Sequence, residues 1–232
     1  TLEGDRKMKH LRCLLFVAIA VLMGSLMAPA YAGIIFQDNF NDGNSNGWTS
    51  TAVHPWWSDP RTSVVGGEFA FANLGMSLAD ALNGQTDLDI TVDVPVVGQS
   101  QIIVLRYKDQ FNYIAAWYQS VAQNIYFFQV AGAWSFIGRT DTPDVTGPVS
   151  MHAQAVGANV SFGVTDGTHS YSTSYAVPNF FYGPSQYGLM ATTEIGSVHF
   201  DNFVASTIPE PSSLLALGSA LVGMAGLVRR RR

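Results

Sequence analysis

Three sets of residues in this 232-residue chain have types and spacing that could do chemistry. Carboxylates recur at Asp87, Asp89 and Asp93 within Asp87-Leu88-Asp89-Ile90-Thr91-Val92-Asp93, and a carboxylate pair is what glycoside hydrolysis requires. Asp38, Asn39, Asp42, Asp201 and Asn202 are hard oxygen donors of the kind that hold Ca²⁺, with Asp38 and Asp201 leading such a structural site. The same residue types also cap their own backbone in turns. Five tryptophans and nine tyrosines are more aromatic surface than a core of this size must contain. A flat ring beside polar groups suits the apolar face of a sugar. Trp57 and Tyr107, with Arg106 beside them, are the candidate ligand contacts. Trp56 and Trp57 point to opposite sides of any strand, so one of them belongs to the core.

Other chemistries find little support. His54, His152, His169 and His199 are scattered, without the i, i+2 or i+4 spacing of a metal pair. No serine occupies a nucleophile elbow, and no phosphate-binding loop is present. The single cysteine, Cys13, lies in the N-terminal region, so the rest of the chain has no disulfide framework, thiolate metal site or cysteine nucleophile.

The ends of the chain are addresses. Residues 1–7 read as sequence upstream of a start at Met8. Lys9 and Arg12 then precede an apolar run over 13–27 and the small-x-small step Ala30-Tyr31-Ala32. That pattern, over 8–32, predicts a signal helix that signal peptidase removes between Ala32 and Gly33. At the other end, residues 212–228 form an uncharged stretch before four arginines. As a helix at about 1.5 Å per residue it falls slightly short of the ~30 Å hydrocarbon core, long enough for one transmembrane helix in the precursor. The arginines would stay in the cytoplasm.

Pro209-Glu210-Pro211, the apolar span and the Arg tail over 229–232 follow one another in that order. Together, over 207–232, they resemble a PEP-CTERM sorting signal. The resemblance implies export in a Gram-negative bacterium, a transient stay in the inner membrane and release by an exosortase, a membrane protease that cuts at Pro-Glu-Pro. The final location would be the cell surface or the exopolysaccharide matrix.

Between the signals, residues 33–206 carry 14 acidic residues against Arg61, Arg106, Lys108 and Arg139, a formal charge of −10. So acidic a surface argues against nucleic acid, whose phosphates need Lys and Arg. The segment is long enough for one domain with a sizeable core. Runs of Val, Ile, Thr, Tyr, Phe and Trp, punctuated by Gly, Asn-Gly and Asp-Gly, predict short strands. In 87–94, Leu88, Ile90, Val92 and Val94 take one face and the carboxylates the other. Further strands are expected at 34–40, 52–57, 63–73, 101–107, 112–119, 124–130, 133–139, 149–156, 160–165, 170–176, 187–193 and 198–205, with a turn near 76–82. So many short antiparallel strands predict an all-β sandwich. Asp38-Asn39-Phe40 recurs as Asp201-Asn202-Phe203, which suits first and last strands lying side by side.

The order Asp38-x-Phe40, Gly47-Trp48, Trp57, Gly66-Gly67-Glu68, Arg106-Tyr107-Lys108-Asp109, Asn112-Tyr113 and Phe200-Asp201-Asn202-Phe203 resembles the concanavalin A-like, laminin G-like jelly roll. The resemblance implies that fold and a habit of binding sugars or calcium. Jelly-roll glucanases carry Glu-x-Asp-x-Glu on a strand, but here Thr91 stands where a carboxylate is required. Jelly-roll lyases need a Gln-Ile-His strand, and Gln101-Ile102-Ile103 lacks the His. The expectation is therefore a non-enzymatic structural or polysaccharide-binding component, with a secreted glycan-active enzyme as the alternative.

Overall fold

The computed structural model describes residues 32–51, 53, 62–192 and 197–208. Among them are fifteen strands and two 3₁₀ turns. Strands β1 (Ile34–Asp38), β2 (Trp48–Thr51), β3 (Thr62–Val65), β4 (Glu68–Phe71) and β5 (Gly75–Ala79) lead to a turn at Asp80–Leu82. Next come β6 (Leu88–Val96), β7 (Ser100–Asp109), β8 (Asn112–Gln119), β9 (Asn124–Ala131) and β10 (Trp134–Asp141). The chain closes with β11 (Val149–Val156), β12 (Asn159–Thr165), β13 (Ser170–Ala176), a turn at Asn179–Phe181, β14 (Gln186–Thr192) and β15 (Val198–Thr207).

Residues 32–208 form one unit of two antiparallel sheets. One sheet runs β13-β12-β11-β6-β15-β4-β3, with β1 also on β15, and the other runs β10-β9-β8-β7-β14-β5-β2. The alternation in β6 has the predicted consequence: Leu88, Ile90, Val92 and Val94 are all buried in the core between the sheets. Facing them are Ile103, Leu105, Ile114, Ala116, Phe127 and Leu189 from β7, β8, β9 and β14. At ~25 cal/mol per Å² of apolar surface, this two-layer burial is what lets a disulfide-free domain fold.

Two expectations need correction. The run over 63–73 is not one strand, because Gly66 and Gly67 take φ of 63° and 85°. Positive φ at both turn positions makes the tight hairpin between β3 and β4. The turn expected near 76–82 begins instead as β5, which pairs with β14 and β2. All five residues of Gly75–Ala79 are buried. A strand covered on both faces shows no period-2 pattern, which hides it in the sequence. Of the strand expected over 52–57, only Val53 lies among the described residues.

Both ends of the sandwich are laced together. Ser50 on β2 and Thr62 on β3 share a hydrogen bond of 3.0 Å. At the opposite end Thr173 on β13 donates to the carbonyl of Gly138 on β10 at 3.3 Å. The first and last strands do lie side by side, with Asp38 opposite Phe203. Gly33, where signal peptidase is expected to leave the new N-terminus, donates its N–H to Thr207 Oγ1 at 3.1 Å, and Thr207 N–H donates to the Gly33 carbonyl at 2.9 Å.

Candidate functional site

The predicted site residues are spread over the domain. Arg106 is 1% exposed, and its backbone sits at φ 53°. Its Nη2 donates to Asp87 Oδ1 at 3.0 Å and to the Gly157 carbonyl at 2.9 Å, while Gly157 N–H donates to the same Asp87 oxygen at 3.0 Å. A guanidinium so enclosed joins β7 to the ends of β6 and β11 and has no face toward a ligand. Tyr107, 8% exposed, packs 6.0 Å from Tyr113 in a second apolar cluster on the outer face of the seven-stranded sheet. Its phenol is raised above the ordinary tyrosine value, chiefly by burial. Trp57, Trp56 and Arg61 lie outside the described residues, as do Ala30, Pro209, Glu210, Pro211, the apolar span and the Arg tail.

The carboxylates are taken up by the fold. Asp38 accepts the Phe40 N–H on Oδ1 and the Trp48 indole N–H on Oδ2, each at 2.8 Å. It borders a cleft with Asn39, Asp42 and Asn202, whereas Asp201 borders a different one with Asp93 and Asp166. The pairing of β1 with β15 is therefore not enough to converge Asp38 and Asp201. Asn202 takes φ 49°, and the β15–β6 register shifts between Asp201 and Val204, separating what the sequence placed together. Among the described residues no three His, Cys, Asp or Glu side chains gather to hold a metal ion.

On β6, Asp89 receives His152 Nε2 at 2.8 Å and Gln154 Nε2 at 2.6 Å. Asp93 receives the Ser150 hydroxyl and Asn202 Nδ2. Four residues along one strand separate Asp89 from Asp93 by roughly 13 Å at ~3.3 Å per residue. Glycosidase carboxylates stand about 5–5.5 Å or about 6.5–9.5 Å apart. The Asp89–Asp93 spacing fits neither range, and both carboxylates are engaged in hydrogen bonds.

A stronger site lies at the β10 edge of the seven-stranded sheet, away from the three residues the sequence named as ligand contacts. Trp134 and Phe136 on β10 are 41% and 69% exposed. Trp134 meets Phe128 edge-on at 4.5 Å between centroids, and Phe136 lies 5.4 Å from Tyr126 and 5.2 Å from Phe128. Trp117 continues the series 5.2 Å from Tyr126. Five rings from β8, β9 and β10 thus make one aromatic shelf. Beside it a cleft of about 300 Å³ is lined by Gln119, Asn124, Tyr126, Phe136, Gly138 and Arg139.

The cleft depends on a bulge. On a regular strand Phe136 and Arg139, an odd number of residues apart, would face opposite sides. The β10–β9 register shifts between Ile137 and Thr140, and Gly138 adopts φ 59°. The extra residue brings the ring and the guanidinium to the same cleft. Arg139, 65% exposed, is held by Asp141 at 3.0 Å. Burial keeps the Tyr126 phenol protonated far above neutral pH, although Arg139 pulls the other way. The cleft thereby presents amide, hydroxyl and guanidinium donors beside apolar rings. Ala133-Trp134-Ser135-Phe136 shows the alternation that could have flagged this edge.

The tail is a PEP-CTERM protein-sorting motif. The match covers residues 207–232. PEP-CTERM proteins are exported and processed at the membrane, with an exosortase as the processing partner. A search of curated sequences finds no match to this chain. Among solved structures, it is similar to the carbohydrate-binding module CBM66 from Bacillus subtilis, with a TM-score of 0.55 and 19% identity over 71% of this chain and 98% of that one. It is similar also to lectin II from Ulex europaeus, with a TM-score of 0.55 and 8% identity over 76% and 99%. The GH43 BlXynB protein from Bacillus licheniformis matches with a TM-score of 0.57 and 14% identity, over 74% of this chain but 39% of that one. At these identities the likeness establishes the jelly-roll sandwich.

Proposed function

We propose that this exported protein binds an extracellular polysaccharide through the Trp134–Phe136 shelf, and that after exosortase processing it serves as a surface or exopolysaccharide-matrix component. The observation that carries this reading is the exposed Phe136 ring facing Gln119, Asn124 and Arg139 in one cleft, with Trp134 extending the shelf through Phe128. Soluble domains rarely leave joined aromatic surface in water without a use for it. A sugar ring stacks its apolar face on an aromatic and hydrogen-bonds at its edge, which is what this cleft offers. The resemblance to a carbohydrate-binding module and a lectin supports the same reading. The reading is one of binding without glycan hydrolysis, supported by the wide spacing of Asp89 and Asp93 and their engagement in hydrogen bonds.

Affinity electrophoresis of the purified protein through gels containing candidate polysaccharides tests it. Retardation in at least one gel, lost in Trp134→Ala and Phe136→Ala, is the expected result. Unchanged retardation in both variants would move the site elsewhere.

A further inference from the structure

Ser197, just before β15, and His199 within it are two residues apart, so their side chains leave the chain on the same side. Glu68, the first residue of β4, reaches the same point from the neighbouring strand. Ser197 Oγ lies 2.8 Å from His199 Nε2, and Glu68 Oε2 lies 2.7 Å from His199 Nδ1. An ionised carboxylate can only accept, so Nδ1–H donates to Glu68, which in the neutral ring leaves Nε2 without a proton. Nε2 is then the acceptor, and the Ser197 hydroxyl donates to it. A nucleophile on one ring nitrogen and an orienting carboxylate on the other is the arrangement that activates serine.

The surroundings favour a fixed, reachable hydroxyl. The His199 and Glu68 side chains keep 17% and 29% of their exposure, and Ser197 is half-buried. His199 is locked between β6 and β4, opposite Val96 on one side and Ala70 on the other. A Cβ at Gly98 would stand 2.5 Å from Val198 Cγ2 and 3.3 Å from the Ser197 carbonyl oxygen. The backbone after β6 therefore lies flat against the segment that bears Ser197.

We infer that Ser197, His199 and Glu68 form an acyl-transfer site acting on carboxylic esters. Ser197 Oγ bonds to the ester carbonyl carbon as its proton passes to His199 Nε2. Collapse of the tetrahedral intermediate breaks the bond to the alkoxy oxygen, which leaves as an alcohol carrying that proton. Water then attacks the acyl-serine, gives a proton to Nε2 and releases the acid as the proton returns to Oγ. The sum is ester plus water giving acid plus alcohol, with no oxidant or second substrate. Glu68 is a positioning residue that holds the tautomer. Sugar O-acyl esters are the natural class only insofar as the glycan-binding reading holds; the chemistry itself is independent of it.

A fluorophosphonate probe and p-nitrophenyl acetate, applied to the purified protein, test the inference. The probe should attach to Ser197, located by peptide mass, and Ser197→Ala should not label. His199→Gln should label and hydrolyse about 10²-fold more slowly, the low end of general-base assistance. Glu68→Gln should lower kcat with KM unchanged, and Glu68→Asp should recover part of it. A wild-type protein that does not label at Ser197, or hydrolyses no faster than Ser197→Ala, overturns the inference. Should Ser197→Ala fail to fold, the position labelled in the wild type decides alone. Polysaccharide retardation of the same samples reports on the aromatic cleft and is unaffected by either outcome.

Discussion

Trp48 donates its indole N–H to Asp38 Oδ2 at 2.8 Å, in a site where the ring is 8% exposed and packs against Phe36, Phe40, Phe69 and Phe203. This bond gives a structural reason for Asp38-x-Phe40 and Gly47-Trp48 to occur together. The carboxylate closes the turn through Phe40 N–H and satisfies the one polar atom of a buried indole.

Asp38→Ala should therefore be destabilising by about 2–4 kcal/mol, since hydrogen bonds to a charged group are worth roughly 1.5–3 kcal/mol and the Trp48 donor is left unpaired. Denaturant unfolding measures this loss, which should be the same with and without calcium. A wild-type melting temperature that rises on adding millimolar Ca²⁺ after chelation would return Asp38 to a ligand role.

Arg106 and Tyr107 should behave as structural residues. Arg106→Ala removes the guanidinium from Asp87, which keeps the Gly157 N–H, and from the Gly157 carbonyl, and should cost about 3 kcal/mol, the lower end for a broken buried pair because Asp87 is 30% exposed. Tyr107→Ala should cost about 3 kcal/mol or more as a buried aromatic. In both variants the folded fraction should migrate through polysaccharide gels as the wild type does. Weakened retention with full stability would restore them to a binding site.

Trp134→Ala and Phe136→Ala should show the opposite signature. Phe136, 69% exposed, loses little burial on truncation, so Phe136→Ala should shift stability by about 1 kcal/mol or less. Retention should fall at least about tenfold, the equivalent of ~1.4 kcal/mol. Paired thermal melts and gel retardation separate the two effects, and a large stability loss would assign the shelf to the core.

Asp166, in the turn between β12 and β13, accepts N–H groups of His169 at 2.7 Å, Thr168 at 2.9 Å and Thr146 at 3.2 Å. These bonds, His169 first, hold its carboxyl well below the usual range. A carboxyl with a depressed folded pKa binds its proton more readily when unfolded. Its contribution is complete above about pH 4 and disappears as pH falls toward the depressed value. Asp166→Asn should have a lower melting temperature at pH 7 and a shallower acid limb, the gap to the wild type narrowing steadily as pH falls below about 4. Parallel melting curves across that window would remove Asp166 from the acid response.

The two termini should be trimmed close to one another. Gly33 and Thr207 are hydrogen-bonded partners, so the expected N-terminal cut and the last strand residue before Pro209 lie at one edge of the sheet. In a host with an exosortase, intact mass of the surface protein should start at Gly33 and lack residues after about 211. A surface species retaining Arg229 to Arg232 would show that the tail is only an anchor.

Much of this was already legible in the sequence, where physics is local. The sorting tail is a contiguous pattern, and the alternation of Leu88, Ile90, Val92 and Val94 announces a half-buried strand without reference to any partner. The recurrence of Asp-Asn-Phe announced the pairing of β1 and β15. What tertiary structure alone decided is which side of each element meets what. Arg106 looked available because a charged residue beside Tyr107 suits a ligand site, yet a positive φ turns it into the domain and onto Asp87. Phe136 and Arg139 meet only because a bulge at Gly138 breaks the period of two. His199 stands 131 residues from Glu68, and no spacing rule reaches that far. Sequence patterns report burial along one element, whereas a site needs two or more elements to converge, and that convergence is set by register, twist and bulges that long-range pairing alone determines.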